Sequence, residues 1–181
     1  MEIIIVSNTI SLTEINLTDH KKLYNLMCKI YPPVYKHLWP DDGKWYLKEI
    51  YLKKNLEKEL NNSNARYYFV NYKQELVGIL RVILNEPLIG VKNKYATKLH
   101  RIYLSPSVQN KGIGKEIVNW VEKKLCTKQE SILWLEVMDS QGVAIRFYEK
   151  LGFKIVGSFR LQFELMYENV KGMYRMVKER V

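Results

Sequence analysis

The sequence predicts a mixed α/β fold in three layers, with a central, mostly antiparallel, twisted sheet flanked by helices. Apolar residues first recur at helical spacing, and they change to the two-residue period of strands from about residue 66 onward. A later alternation of strand and helix patterns predicts more strands in the same sheet, with helices packed against it. No repeat or Gly/Ser/Pro-rich linker divides the chain, so we expect one domain over residues 1–181.

The first predicted elements are two helices, over residues 18–30 and 44–60. Thr18 can cap the first helix, whose apolar residues recur at helical spacing: Leu23, Leu26, Met27 and Ile30. The segment between the helices, residues 31–42, is rich in aromatic residues and prolines.

Strand patterns follow, and the first two form a hairpin. Residues 66–71 and 76–84 are rich in β-branched and aromatic side chains, and the polar tip 72–75 joins them as an antiparallel pair. The remaining predicted elements are a strand at 98–104, a helix at 112–124, a strand at 132–137, a helix at 142–151, and strands at 154–163 and 173–178.

Charge and hydropathy argue against several classes of function. Lysine and arginine outnumber aspartate and glutamate by 29 to 19, which gives a formal charge of +10. Because the basic residues are scattered, a solvated surface is favoured over a nucleic-acid footprint, although the excess attracts a phosphate-bearing ligand. No stretch approaches the roughly 18 apolar residues of a membrane helix, and the start of the chain lacks the basic residues of a signal peptide. We expect a cytoplasmic protein with neither a nucleic-acid nor a membrane partner.

The cysteines indicate neither a disulfide framework nor a metal centre. Cys28 and Cys126 lie far apart, and neither has neighbouring residues at metal-ligand spacing. Neither has a neighbour that would activate it as a nucleophile, so we expect no metal and no acyl-enzyme.

The most informative segment is residues 101–115, RIYLSPSVQNKGIGK. A predicted strand ends at Leu104, Pro106 stops its ladder, and a loop with Gly112 and Gly114 opens an amphipathic helix. The first N–H groups of a helix lack internal partners and lie at the positive end of its dipole, so they bind anions. Glycines let ligand oxygens approach the backbone closely. The segment therefore predicts a phosphate site.

Two nucleotide motifs do not fit this loop. A dinucleotide fingerprint needs a third glycine where Ile117 stands. An ATP-binding P-loop needs four residues between its glycines and a Ser or Thr after the lysine, whereas Glu116 follows Lys115.

The pattern Gln/Arg-x-x-Gly-x-Gly/Ala after a strand and a proline resembles the Gcn5-related N-acetyltransferase (GNAT) superfamily. The resemblance implies acetyl-coenzyme A as co-substrate. It assigns the pantetheine arm to the backbone of Ile102, Tyr103 and Leu104. It assigns the pyrophosphate to Gln109, Asn110, Lys111, Gly112, Ile113, Gly114 and Lys115.

A second segment, residues 141–153, is similar to the family pattern Asn-x-x-Ala-x-x-x-Tyr-x-x-x-Gly-Phe. Ala144, Tyr148, Gly152 and Phe153 match it, and Gln141 stands for the asparagine. Gln141 can make the same amide hydrogen bonds from a longer stem, so it is a candidate coenzyme ligand.

Tyr148 is the candidate acid. A phenol near the thioester can donate a proton or a hydrogen bond as negative charge collects on sulfur. A core role is the alternative, since Tyr148 also belongs to an apolar helical stripe. His100 and Glu136 are candidate bases, and a structural role is about as plausible for each.

The resemblance places the acceptor between the first two helices and the last hairpin, so Tyr31, Tyr35 and Trp39 are candidate acceptor-binding residues. Aromatic faces can enclose an ammonium group. We expect acetyl transfer to a small polyamine-like or amino-acid-like amine by direct attack. A protein or peptide N-acetyltransferase and a catalytically silent coenzyme A-binding module are alternatives. The apolar C-terminal strands could also form a sheet edge shared in a homodimer.

Overall fold

A computed structural model describes residues 3–91 and 95–179, and its described residues form eight strands and six α-helices. The strands are β1 (Ile3–Ile5), β2 (Ile10–Glu14), β3 (Ala65–Tyr72), β4 (Glu75–Ile83), β5 (Ala96–Leu104), β6 (Ile132–Met138), β7 (Lys154–Arg160) and β8 (Gly172–Glu179). The helices are α1 (His20–Ile30), α2 (Pro32–Tyr35), α3 (Lys44–Ile50), α4 (Lys53–Leu60), α5 (Ile113–Leu125) and α6 (Gly142–Lys150).

All eight strands join in one sheet, in the order β1-β2-β3-β4-β5-β6-β8-β7. Neighbours are antiparallel except β5 and β6, which run parallel. The helix α5 supplies the crossover that a parallel pair requires. The predicted hairpin at 66–84 is therefore confirmed, as is the mixed α/β fold.

Helices cover both faces of the sheet and give three layers. One face packs against α5 and α6 through a core that includes Leu80, Ile117 and Leu135. The other packs against α1 to α4 through a core that includes Phe69 and Ile79. Because side chains alternate along a strand, adjacent residues of β5 and β6 serve different cores. No helix among the described residues is long and apolar enough to cross a membrane.

The start of α1 differs from the prediction in its cap. Asn16, and not Thr18, accepts the backbone N–H at the helix start, and Asp19 bonds back to the Asn16 N–H. A 3₁₀ turn at Leu17–Asp19 precedes α1, which begins at His20.

The predicted helix at 44–60 is wrong in its continuity, since the structure has two helices there. Leu52 is extended, with φ −58° and ψ 144°, which breaks the ladder between α3 and α4. Side chains bind the carbonyl groups left free at the break: Asn55 donates to Ile50 O (2.6 Å) and His20 to Tyr51 O (2.8 Å). Tyr51 is thereby fixed in the core, 1% exposed.

Two further boundaries differ from the prediction. No strand was predicted before the first helix, where the structure has β1 and β2, and β7 ends at Arg160 rather than at residue 163. Both differences lie at the ends of the sheet, where strands are short and their patterns weak.

Gly78 provides a test of the close contact between β4 and β5. It lies opposite Leu104, and a Cβ atom there would stand 2.2 Å from Tyr103 O. We expect Gly78→Ala to lower the free energy of unfolding by about 1–3 kcal/mol, because backbone must shift to admit the methyl group. Urea unfolding measures the change.

Gly157→Ala on β7 is the control, since no atom lies within 4 Å of its Cβ position. Equal unfolding free energies for the two variants would contradict the predicted clash.

Candidate active site

The parallel seam between β5 and β6 opens partway along its length. Ala96 to Leu99 pair with Ile132 to Leu135, and the pairing stops there. Beyond Leu99, β5 continues to Leu104 beside β4, and β6 continues to Met138 beside β8. Backbone groups of Ile102, Tyr103 and Leu104 that face β6 are thus free of the ladder, and an extended ligand could pair with them.

A β-bulge marks the point where the strands separate. Arg81 of β4 lies opposite Arg101, but Val82 lies opposite Leu99, so His100 is the extra residue. A bulge bends its strand and increases its twist. The bend therefore falls at the first residue of β5 that no longer pairs with β6.

The loop after β5 forms an open turn at the end of this seam, where the sequence predicts an anion site. Asn110 (φ 61°) and Gly112 (φ 78°) adopt left-handed conformations, a backbone pattern that turns successive N–H groups inward. The helix bonds start with Glu116 N–H to Gly112 O, which leaves the N–H groups of Ile113, Gly114 and Lys115 without helical partners. No atom lies within 4 Å of the Cβ position of Gly112, so its surroundings are open.

The other loop residues lie on either side of this turn. Gln109 precedes the left-handed turn, and the Lys111 ammonium lies 5.6 Å from the Tyr72 ring centroid on the neighbouring hairpin. The Cβ position of Gly114 is 3.2 Å from Phe147, so this glycine lets α5 and α6 pack closely.

Tyr148 lies on α6, the helix that follows β6. It is 9% exposed, and its ring packs edge-on against Phe147 and Phe153, with centroids 5.0 and 5.6 Å apart. Burial, and then the nearby phenol of Tyr35, raise the pKa of Tyr148 well above its usual value. Tyr148 is therefore a neutral proton donor at physiological pH.

Tyr35 and Tyr148 belong to different cores on opposite faces of the sheet. The Tyr35 phenol nevertheless contributes to the raised pKa of Tyr148. Gln141 lies at the start of α6, where its backbone N–H donates to Met138 O (3.0 Å) at the end of β6. The two segments recognised in the sequence therefore border the same opening.

An aromatic cluster lies on the face of the sheet that packs against α1 to α4, next to the opening between β5 and β6. Tyr31 stacks between Tyr35 and Tyr46, with centroids 4.8 and 4.7 Å apart. Tyr103 of β5 meets Tyr31 and Tyr35 edge-on, at 6.0 and 5.6 Å. Burial raises the pKa of Tyr35 to about 12, so its hydroxyl is also neutral.

Trp39 has a supporting place in this cluster. It is 2% exposed, its indole N–H donates to Tyr31 Oη (2.9 Å), and its ring packs against Phe163 at 5.7 Å. Tyr31 is also buried, whereas Tyr35, Tyr46 and Phe163 are partly exposed. Of the three predicted acceptor residues, only Tyr35 keeps an open edge.

The segment between β7 and β8 closes over this cluster. Met166 is buried among the helices, and Tyr167 N–H donates to Leu38 O (3.1 Å) in the turn after α2. The helical segment and the last hairpin are therefore bridged.

His100 is held as a neutral imidazole. Arg81 Nη1 lies 2.6 Å from His100 Nδ1, and a guanidinium can only donate, so Nδ1 accepts and the ring proton is on Nε2. Burial, followed by the charges of Arg101, Arg81 and Lys98, lowers the pKa of His100 to about 2. At neutral pH, Nδ1 therefore accepts a hydrogen bond and Nε2 carries the ring proton, so neither nitrogen is free to take a proton from a substrate.

A buried ion pair anchors the bend in β5 to α4. Arg101 Nη1 donates to both carboxylate oxygens of Glu59, at 2.7 and 2.9 Å. Arg81 Nε lies 3.9 Å from the same carboxylate. The Arg101 and Glu59 side chains are 9% and 12% exposed, so one carboxylate balances two buried guanidinium groups.

Glu136 is the first residue of β6 beyond the last pair with β5. Its carboxylate accepts from Lys98 Nζ (2.8 Å) and Arg175 Nε (3.4 Å). It is about a quarter exposed and faces the same side of the sheet as the aromatic cluster. Among the described residues, no group of His, Cys, Asp and Glu side chains is arranged to hold a metal ion.

Sequence reasoning missed part of this site. Tyr46 lay inside a predicted helix, and Glu59 was one charge among many on that helix. Their partners, Tyr31 and Arg101, are 15 and 42 residues away, and no local pattern joins positions so distant. The last hairpin was expected near the acceptor, and Phe163, in the segment that joins its strands, packs against Trp39 of the aromatic cluster.

The ion pair provides a stability test of the site. We expect Glu59→Ala to lower the free energy of unfolding by about 3–5 kcal/mol, because it leaves Arg101 and Arg81 buried without a countercharge. Glu57→Ala, on the exposed face of the same helix, is the control and should change it by less than about 0.5 kcal/mol. Similar losses in both variants would exclude a structural role for the pair.

The chain matches the model of the Acetyltransferase (GNAT) family over residues 21–153. It is 31% identical over 83 residues to the ribosomal protein bS18 alanine N-acetyltransferase of Escherichia coli, which covers 46% of this chain and 49% of that relative. The chain spans about half to two thirds of the length of the first curated relatives it matches.

Solved structures show the same fold. The PaiA N-acetyltransferase of Thermoplasma acidophilum in complex with coenzyme A has a TM-score of 0.69 at 20% identity, covering 95% of this chain and 99% of that chain. The spermidine N-acetyltransferase of Vibrio cholerae in complex with coenzyme A and spermine has a TM-score of 0.67 at 17% identity, covering 96% of each chain. With a family match that spans most of the chain, this protein belongs to the GNAT acetyltransferase family.

Proposed function

We propose that this protein transfers the acetyl group of acetyl-coenzyme A to the amine of a small molecule, by direct attack within a ternary complex. The observation that carries the proposal is the opened β5–β6 seam, with free backbone groups along one side, an anion site at its end and Tyr148 beside it. Two solved structures of the same fold contain coenzyme A, which supports acetyl-coenzyme A as the co-substrate.

The residues fit the chemical character of the coenzyme. Its pantetheine arm, which carries amide groups, suits the unpaired backbone of Ile102, Tyr103 and Leu104. Its pyrophosphate suits the loop from Gln109 to Lys115, and Gln141 can reach the arm from the start of α6. When bound, acetyl-coenzyme A supplies an acetyl group activated as a thioester.

Tyr148 acts as the acid in this proposal. Its raised pKa keeps the Oη proton in place, and its burial excludes water that would compete for that proton. The phenol can therefore donate a hydrogen bond to sulfur as negative charge develops there. A catalytically silent module is the alternative, and the kinetics of Tyr148→Phe distinguish the two.

The amine must lose a proton, and the two candidate bases have different surroundings. His100 has no free lone pair at neutral pH, so we assign it a positioning role at the bulge. Glu136 faces the acceptor side, is partly exposed and can accept a proton through water. Glu136 is therefore the better candidate.

The bridge between Tyr167 and Leu38 supports a small acceptor. It ties the helical segment to the last hairpin, between which the acceptor is expected, and a protruding protein terminus would need more room there than a small amine. Transfer to a protein terminus is the second candidate, because the Escherichia coli relative is named for an alanine of a ribosomal protein. A cytoplasmic location and a homodimer stay predictions.

Tyr148→Phe tests the proposed acid. We expect kcat to fall by about 100-fold with little change in KM for acetyl-coenzyme A, because only the proton donor is lost. Thiol release is measured against amino acids, polyamines, aminoglycosides and short peptides.

Tyr24→Phe on α1 is the control, since Tyr24 lies outside the seam. The raised pKa of Tyr148 also means that the wild-type kcat keeps its value as pH rises through about 10, the usual tyrosine pKa. Unchanged kcat in Tyr148→Phe would remove the proposed acid.

Gly112→Ala tests the anion site. We expect KM for acetyl-coenzyme A to rise about tenfold, because a Cβ atom would enter the open space where phosphate oxygens approach and would strain the left-handed backbone. Gly90→Ala has a similar φ of 86° and similarly open surroundings, but it lies in the loop after β4. It should cost comparable stability and leave KM unchanged, and an equal KM in both variants would argue against pyrophosphate binding at Gly112.

A further inference from the structure

A row of charged side chains crosses the sheet on the acceptor face. Lys98 of β5, Glu136 of β6 and Arg175 of β8 are neighbours, and Glu136 lies directly opposite Arg175 in the ladder. Their side chains are 13%, 23% and 27% exposed, so exposure increases toward Arg175. One carboxylate stands between two cations, which leaves a positive excess among partly buried side chains.

Lys98 and Arg175 differ in how fully their N–H groups are hydrogen-bonded. The Lys98 ammonium makes a short bond to Glu136 and lies 4.4 Å from the Trp134 ring centroid. Arg175 contacts Glu136 only through Nε, at 3.4 Å, and among the described residues its two terminal amino groups have no hydrogen-bond partner. Arg175 thus has unused donors.

Phe159 holds the Arg175 guanidinium in a fixed orientation. The guanidinium carbon lies 4.4 Å from the Phe159 ring centroid on β7. A planar fork held by an aromatic face loses little entropy when it binds a carboxylate through two parallel hydrogen bonds. The arrangement is therefore organised in advance for an anionic group of that shape.

The Lys98–Glu136–Arg175 row lies close to the proposed site of acetyl transfer. Met138 and Met173 form the next pair in the β6–β8 ladder on the same face, about 7 Å further along the strands. Both methionines pack into the core that contains the aromatic cluster. A small molecule could thus reach from Arg175 to the seam.

Resting on the proposed function, we infer that the acetyl acceptor is an amine that also carries a carboxylate, and that Arg175 binds this carboxylate. Acceptors of the amino-acid class are selected, and polyamines are disfavoured because the Lys98–Glu136–Arg175 row already has excess positive charge. Arg175 is a specificity residue in this scheme and takes no part in the transfer of the acetyl group.

The test compares each acid with its own amide. Thiol release from acetyl-coenzyme A is measured with α-amino and ω-amino acids of increasing length, their carboxamides, and spermidine. We expect the wild type to prefer the best acid over its carboxamide by about tenfold or more in kcat/KM, since the amide cannot replace the charge-assisted pair. Arg175→Gln should bring that ratio close to one by lowering kcat/KM for the acid alone.

Lys178→Gln is the matched control, because Lys178 is on the same strand but pairs with Glu122 on the opposite face of the sheet. It should keep the preference of the wild type. Arg175→Gln that lowers kcat/KM equally for acids and amides would overturn the inference, as would a wild type that acetylates spermidine and none of the acids. The second result would leave acetyl transfer itself intact, whereas loss of acetyl-coenzyme A binding in the wild type would overturn the proposed function too.

Discussion

The site depends on the separation of β5 from β6 after Leu99. Two parallel strands in a sheet ordinarily satisfy each other's backbone groups, so their separation leaves donors and acceptors without partners. The chain offsets that cost with specific contacts. A bulge at His100 bends β5, Arg81 binds the His100 ring, and Arg101 ties the strand to Glu59 of α4. A ligand that completes the ladder recovers the remaining unpaired groups.

The same separation connects two environments that the sheet would otherwise keep apart. Tyr148 belongs to the core beneath α5 and α6, and Tyr35 to the core beneath the first helices, yet the Tyr35 phenol contributes to the raised pKa of Tyr148. The side of the sheet that contains Tyr148 is neutral and apolar, which keeps the phenol proton on Oη of Tyr148. The acceptor side is crossed by charged side chains, which favours a polar substrate held by its charge. The opened seam therefore lets an apolar environment and a charged environment meet in one small region of the protein.

Features that depend on residues close together in the sequence could be predicted, and features that depend on distant residues could not. The loop from Gln109 to Lys115 could be identified because a strand end, a left-handed glycine and a helix start are successive events along the chain. The sheet could be predicted for the same reason, since period and turn chemistry are local. The break between α3 and α4 could not, because it depends on His20 and Asn55 binding carbonyl groups at the helix end. Nor could the pairs Glu59–Arg101 and Glu136–Arg175, whose members meet only after the sheet has formed.

Electrostatics also explain why no strong base was evident in the sequence. The positive charges of Arg101, Arg81 and Lys98, together with burial, lower the pKa of His100 to about 2. In the proposed complex, an ammonium group on the same face would lie near these cations and partly out of water, and both effects would lower the pKa of an amine. The protein then needs only a weak base, because part of the work of deprotonation is done by the surroundings. The inferred carboxylate of the acceptor would fit this scheme, since its attraction to Arg175 would hold the molecule near cations that would otherwise repel its ammonium group. Charge that would be unfavourable for a polyamine thus becomes useful for an amine that brings its own anion.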